Sequence, residues 1–466
     1  MLYPENTRGG NGRHLYSDVE VARVEVEVPT GLKVLLKEAW QRYKAPIALT
    51  EVHLHCHREE QLRWFEEILN TCKDLKKEGL NIKGITAWAI LGSYGWDKLL
   101  TGREGNYEPG VYDMRGGKCR PTALCHFIKR LNKRAGSNHD YLKVKGWWQR
   151  NSRLIYNPPL SKVESIGPYL PKLQPILIIG KTGTLGRAFS KICAQRALPY
   201  VLIGRKECDI AEPDQVDAMI EKYKPWAIIN AAGYVRVDDA EKEKDQCFRG
   251  NITGPEILSK ACHFHGVQLV TFSSDLVFDG TKSGAYLESD FVNPLNIYGI
   301  SKAKAEEVVH RENAKALIIR TSAFFGPWDE YNFIWWVRKN LENENAIPVA
   351  NNISISPTYV PDLVNESLDL LVDEEQGIWH LINIGNITWS ELAYETARLF
   401  NLDGSYIQPV SIEQLHFPAI RPLNTVLSTE KGIVLPSLSN ALHRYMLETK
   451  DFSVTKDLYH QAKITA

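Results

Sequence analysis

The stretch Pro175-Ile-Leu-Ile-Ile-Gly180-Lys-Thr-Gly183-Thr-Leu-Gly186-Arg187 decides the fold. Its apolar run, Ile176 to Ile179, is short, uninterrupted and β-branched, as a buried parallel strand requires. Three glycines follow at G-x-x-G-x-x-G spacing, and then Arg187-Ala-Phe-Ser-Lys-Ile-Cys-Ala continues with a helical pattern. A strand, a glycine turn and a helix aim backbone N–H groups and the positive end of a helix dipole at one point. That arrangement suits a phosphate, and in a strand-to-helix context it predicts a dinucleotide site.

A second signal stands more than a hundred residues downstream, in Tyr298-Gly-Ile-Ser-Lys302. Residues four apart share one face of a helix. An ammonium beside a phenol favours phenolate, so the spacing predicts a Tyr298 pKa depressed towards the working pH. Such a tyrosine exchanges a proton with a carbonyl oxygen.

Further short apolar runs, Tyr200–Ile203, Ala227–Asn230, Gln268–Ser273 and Ala316–Thr321, alternate with helical segments. The alternation predicts an α/β fold, a Rossmann-like doubly wound parallel sheet with ligands at the carboxyl ends of its strands. Asn230-Ala231-Ala232-Gly233 and Ser273-Ser274-Asp275 both follow strands and are expected to converge there. At the end of the second strand stand Arg205 and Lys206, where NAD-specific sites place a carboxylate. Two cations suit a 2′-phosphate, so NADPH is expected ahead of NADH.

These pieces together resemble the extended short-chain dehydrogenase/reductase family. Within it, the chain from about residue 174 onward is most similar to the dTDP-4-dehydrorhamnose reductases. The resemblance runs through GKTGTLGRAF, CDIAEPDQV (208–216), INAAGYVRVDDAE (229–241), FSSDLVFDG (272–280), PLNIYGISKAKAE (294–306), IRTSAFFG (319–326), ISPTYVPDL (355–363), GIWHLIN (377–383) and RPLNTVLST (421–429). It implies a catalytic set of Tyr298, Lys302, Ser274 and Asp275. It places the cofactor on Gly180, Thr182, Gly183, Thr184, Leu185, Gly186, Arg205, Asp209, Ile210, Asn230, Ala231, Ala232 and Gly233, with Tyr298 and Lys302. It places the sugar nucleotide on Val235, Ser274, Asp275 and Arg421, and it implies no metal. The family's threonine is Ser274 here, which keeps the hydroxyl. Its following tyrosine is Leu276, and a tryptophan common after Thr-Ser is Ala323. The activity implied is NAD(P)H-dependent reduction of the 4-keto group of a nucleotide-linked 6-deoxysugar. Two alternatives stay open: an epimerase or dehydratase on the same scaffold, and a non-catalytic NADP-binding regulatory subunit. Beyond Gly326, Trp328, Ser356-Pro-Thr358 and Arg421 are expected near the sugar nucleotide. The Trp335–Trp336 pair stands in the same region, with two readings open, the sugar-nucleotide pocket and, for a tryptophan pair in a helical run, the core.

The N-terminal part is of another kind. ALTEVHLH (48–55), ITAWAILGSYGWDKLL (85–100), YEPGVYD (107–113) and RPTAL (120–124) resemble the last strands of a family 1 glycoside hydrolase barrel. The resemblance makes Glu51 the nucleophilic carboxylate. A retaining glycosidase needs a second carboxylate about 5 Å away, which that family carries on an earlier strand. Only about 45 residues precede the Glu51 strand, so this part is expected to be a partial-barrel remnant or scaffold, with glycan binding as a third alternative. In the cluster of His53, His55, Cys56 and His57 the histidines alternate and share a face of a strand, but all come from one segment, which argues against zinc. The expected organisation is 1–157 glycosidase-like, 158–173 a Pro/Gly/Ser-rich linker, and 174–466 reductase, with a Rossmann core to about 325 and a substrate-binding part beyond it.

Bulk properties exclude several classes. The 466 residues carry 56 Lys plus Arg against 56 Asp plus Glu, so no basic field points to nucleic acid. No apolar run reaches the ~20 residues of a membrane span, and the polar N-terminus has no signal-peptide core. Eight scattered cysteines without C-x-x-C suggest reduced thiols in a cytoplasm. The expected partner is a nucleotide sugar, with a homo-oligomer left open.

Overall fold

The computed structural model describes residues 9–10, 15–16, 31–94, 107–133, 140–150, 173–432 and 435–449. The chain falls into two compact units, Met1–Met114 with Lys118–Gly167, and Arg115–Gly117 with Pro168–Ala466. The expected linker, Leu173 apart, lies outside the described residues, as does Trp96.

In the first unit, β1 (Ile47–Val52) pairs in parallel with β2 (Ile82–Ala87), with Leu49 opposite Ile85. The α1 helix (Arg58–Lys77) makes the crossover, burying Leu62, Phe65, Ile68, Cys72 and Leu75 at helical spacing. Phe65 meets Phe127 of α2 (Ala123–Asn132) edge-on, with centroids 6.1 Å apart. The start of α1 buries charge rather than hydrocarbon. Arg58 pairs with Asp113 at 3.3 Å, Asp113 also holds Arg120 at 2.8 Å, and Glu60 takes Arg63 at 3.0 Å as well as Arg150. Among the described residues this is the only parallel pair of strands in the unit, beside one isolated parallel bridge between Leu91 and Tyr112.

In the second unit, β3 (Ile176–Ile179), β4 (Tyr200–Ile203), β5 (Ala227–Asn230), β6 (Gln268–Ser274), β7 (Leu317–Thr321) and β8 (Gly377–His380) form one parallel sheet, in the order β4-β3-β5-β6-β7-β8. The direction of winding reverses between β3 and β5, where Ile179 faces Asn230. One face carries α3 (Thr184–Gln195) and α8 (Val360–Val372), which pack together. The other carries α4 (Pro213–Tyr223), α5 (Gly254–His265) and α6 (Ile297–Glu312). Leu177, Ile228, Leu258, Leu269 and Ile318 are almost fully buried between sheet and helices. The sixth strand and α8 come from beyond residue 325, so the sheet draws on the part expected to bind substrate. A separate core beyond the sheet gathers Phe325, Tyr359, Leu392, Leu442 and Tyr445, with α7 (Phe333–Glu342) and α9 (Trp389–Phe400) nearby.

All eight cysteines are free, with Cys119 exposed, Cys56 half-buried and the other six buried. Among the described residues no helix is long and apolar enough to cross a membrane.

Candidate active site

The loops that leave β3 and β5 diverge at the reversal of strand order, and the glycines fit that crevice tightly. Gly180 has φ +126°, and a Cβ there would lie 2.7 Å from the Ala231 carbonyl. A Cβ on Gly186 would lie 2.1 Å from the Gly180 carbonyl, so both positions need glycine for packing. Gly183 is different. It precedes α3 without a side-chain cap, and a Cβ on it would meet nothing nearer than 3.6 Å. The open side of Gly183 and the unpaired N–H groups of the first turn form a cradle fit for a pyrophosphate.

A cavity of about 1620 Å³ runs from this cradle. Gly180, Thr182, Gly183, Thr184 and Leu185 line it, as do Asn230, Ala231, Ala232, Gly233 and Val235. Arg205, Asp209 and Ile210 close one end, and Tyr298 and Lys302 stand in its wall beside Phe272 and Ser273. The volume and the donors along it fit a dinucleotide. Gly186 serves packing behind the loop.

Tyr298 and Lys302 sit on α6, whose start is fixed by Asn296. Its Oδ1 accepts the Gly299 N–H at 2.8 Å. Gly299 lies under the Leu276 carbonyl, 2.2 Å from where a Cβ would be, so the helix presses on the loop after β6. The Lys302 ammonium donates to the Phe272 carbonyl at 3.1 Å and stands 5.8 Å from the centre of the Tyr298 ring. Burial pushes the Lys302 pKa down to about 8, with Cys247 and Glu306 acting in the opposite direction. The Tyr298 phenol moves opposite to expectation. Desolvation holds its pKa above the ordinary tyrosine value, the Asp275 carboxylate adds to this, and a hydrogen bond with Ser274 offsets only part. Burial thus opposes the expected depression, and the ammonium that was to supply it donates to a main-chain carbonyl.

Ser274 and Asp275 lie behind the cavity wall. The Ser274 hydroxyl donates to Asp275 at 2.9 Å and accepts the Leu276 N–H at 3.1 Å. Asp275 is buried, which raises its pKa, and the Ser322 hydroxyl donates to it at 2.6 Å. Arg421 is placed differently from the expected diphosphate contact. Its Nη2 pairs with Asp238 at 2.7 Å and its Nη1 donates to the Ala419 carbonyl, off the cavity wall. The tryptophan pair takes the pocket side rather than the core. Trp335 lines the cavity and Trp336 is 39% exposed, because Ile334, Val337 and Leu341 take the buried stripe of α7.

Sequence reasoning missed three site residues. Asn251 is buried, accepts the Tyr234 N–H at 2.8 Å and donates to Ser301 Oγ at 2.9 Å, whose hydroxyl bonds the Tyr298 carbonyl at 2.6 Å. Asp329 is buried beside Thr184, and Arg249 lies beside Asp209. None of the three stands in a motif; each acts through tertiary contact. In the first unit, His53 is engaged by the Trp88 carbonyl at 3.0 Å and Glu108 at 3.1 Å, and Glu51 is exposed. Among the described residues no group of three or more His, Cys, Asp or Glu is placed to hold a metal.

The profile of a family described as RmlD substrate binding domain matches residues 174–449. A dTDP-4-dehydrorhamnose reductase of Aggregatibacter actinomycetemcomitans is 34% identical over 225 residues, 47% of this chain and 76% of that protein. Over this stretch the chain belongs to the dTDP-4-dehydrorhamnose reductase family. The family's solved structures superpose on it. A dTDP-4-dehydrorhamnose reductase of Bacillus anthracis, in complex with NADP, is 30% identical with a TM-score of 0.57, covering 59% of this chain and 99% of its own. One from Clostridium acetobutylicum is 28% identical with a TM-score of 0.56, covering 59% and 98%. The reductase fold extends to a dTDP-glucose 4,6-dehydratase of Streptomyces venezuelae at 19% identity and a TM-score of 0.52.

Proposed function

We propose that this chain uses NADPH to reduce the 4-keto group of a nucleotide-linked 6-deoxysugar, dTDP-4-dehydrorhamnose being the substrate and dTDP-L-rhamnose the product. The observation that carries this is Tyr298 in the wall of the cavity that the glycine loop opens, with the Ser274 hydroxyl bonded to its phenol from behind that wall. When bound, NADPH supplies the hydride.

Tyr298 is held protonated by burial, the state a proton donor needs. It gives that proton to the carbonyl oxygen as negative charge grows there. Ser274, anchored between Asp275 and the Leu276 N–H, orients the phenol. The Lys302 ammonium, fixed by the Phe272 carbonyl, supplies the positive charge that stabilises the phenolate left behind. Val235 forms part of the wall on the sugar side. Arg421, tied to Asp238, holds the loop of Ala419 at the rim rather than the diphosphate itself.

For the first unit we propose a family 1 glycoside hydrolase-like remnant that does not hydrolyse glycosides, because Glu51 is exposed on a strand of a single parallel pair. The free thiols fit a cytoplasmic enzyme.

Mixing the full chain with dTDP-4-dehydrorhamnose and NADPH tests the reading. Stoichiometric loss of absorbance at 340 nm is expected, with the 4-hydroxy sugar nucleotide as product. Turnover without net oxidation of NADPH would mean an epimerase or dehydratase instead. Tyr298→Phe is expected to lower kcat about 10²–10⁴-fold and to leave NADPH affinity nearly intact.

A further inference from the structure

Arg249 belongs to no motif, yet it reaches the end of the cavity where the sequence points to Arg205 and Lys206, and it lines that cavity with Arg205 while Lys206 does not. It opens a π-helical turn, Arg249–Thr253, between the short helix Lys244–Phe248 and α5. Such turns are rare and concentrate at functional sites. The turn is seated against the loop after β4. A Cβ on Gly254 would lie 2.5 Å from Ile210 Cδ1, so glycine lets the two elements close on each other.

The guanidinium groups converge. Arg249 Nη1 bonds Asp209 Oδ2 at 2.8 Å, and Arg205 Nε reaches the same oxygen at 3.3 Å. Arg249 Nη2 bonds Glu212 at 2.6 Å. Lys181, another cation near this end, is paired with Glu207 at 3.1 Å. Two arginines from separate elements therefore meet at one oxygen, and Arg205, Asp209 and Arg249 all line the cavity. Asp209 is fixed from behind, its Oδ1 accepting the Ala211 N–H at 3.1 Å.

We propose that Arg249 is the residue that selects NADPH over NADH, by closing with Arg205 on the adenosine 2′-phosphate. This rests on the NADPH reading given above. The planar fork of a guanidinium suits a phosphate dianion better than an ammonium does. The 2′-phosphate competes with Asp209 for the two arginines, whereas a bare 2′-hydroxyl is a donor that Asp209 itself accepts. Arg249 thus gains from the phosphate and is indifferent to the hydroxyl.

The test is titration of the full chain with NADPH and NADH, read by nicotinamide fluorescence, with 2′,5′-ADP and 5′-AMP as competitors. Arg249→Leu is expected to weaken NADPH and 2′,5′-ADP by about 10-fold or more and to leave NADH and 5′-AMP within about 2-fold. Arg249→Lys, which keeps the charge and loses the fork, is expected to fall between. Equal weakening of both dinucleotides, or no change in either, would overturn the assignment. A wild-type chain that binds NADPH no more tightly than NADH would overturn the NADPH reading itself, and the role of Arg249 with it.

Discussion

The Lys302 ammonium is bound to the main-chain carbonyl of Phe272, 3.1 Å away, rather than to the phenol one helical turn behind it. Its position is set by strand β6, so its charge is delivered to the site by the sheet rather than by its own helix.

The burial that lowers the Lys302 pKa to about 8 gives a pH signature. Reduction needs the ammonium charged, so kcat/KM is expected to fall as pH rises through about 8, with Tyr298 still protonated. The stability effect has the opposite sign. Between about 8 and the ordinary lysine value the unfolded chain holds a proton that the folded chain does not, so stability from this group rises with pH across that window. Below it the cost is fully present, and Lys302→Met is expected to raise the melting temperature at pH 7 by about 2 °C or more while activity is lost.

Gly183 and Gly186 separate a ligand's requirement from the fold's. Gly186→Ala puts a methyl against the Gly180 carbonyl and is expected to destabilise by about 2 kcal/mol or more. Gly183→Ala has room in the protein and is expected to keep stability within about 1 kcal/mol. It covers the face a pyrophosphate approaches, so NADPH affinity is expected to fall at least about 10-fold. Denaturant melts and fluorescence titrations of the two variants check both halves.

Ser322 donates to a buried carboxylate at 2.6 Å. Ser322→Ala is expected to cost about 1–3 kcal/mol. Asp275 has a raised folded pKa, so its folded form loses stability as pH rises from the unfolded carboxylate value through the folded one. Removing a donor raises that pKa further and widens the window. Urea melts at pH 5 and pH 8 are expected to show the larger loss at pH 8.

Arg421 and Asp238 are expected to act as one unit. Arg421→Ala and Asp238→Asn each free the Ala419 loop and should raise KM for the sugar nucleotide by similar factors. The double variant should be no worse than either single one. An Arg421 effect far exceeding that of Asp238 would place the guanidinium on the substrate after all.

The glycine loop, the strands around it and the Tyr298–Lys302 spacing were legible because each is local, a strand, a turn or one helical turn. What lay hidden depends on distant segments. The four-residue strand Gly377–His380 joins the sheet only because Leu317–Thr321 offers it an edge. The fate of the Lys302 charge needs the Phe272 carbonyl, thirty residues away. Arg421 met a carboxylate from the first half of the fold. Trp335 and Trp336 stay off the core because residues 334, 337 and 341 form the better apolar stripe, and bulk alone does not choose the face.

The sheltered sulfhydryls give each unit its own unfolding gauge. A pulse of alkylating reagent would mark Cys119 at once. Cys72 and Cys125 would report opening of the first unit, and Cys193, Cys208, Cys247 and Cys262 opening of the second. Mass spectrometry of the labelled peptides would then tell whether the two halves of this chain melt in concert or in turn.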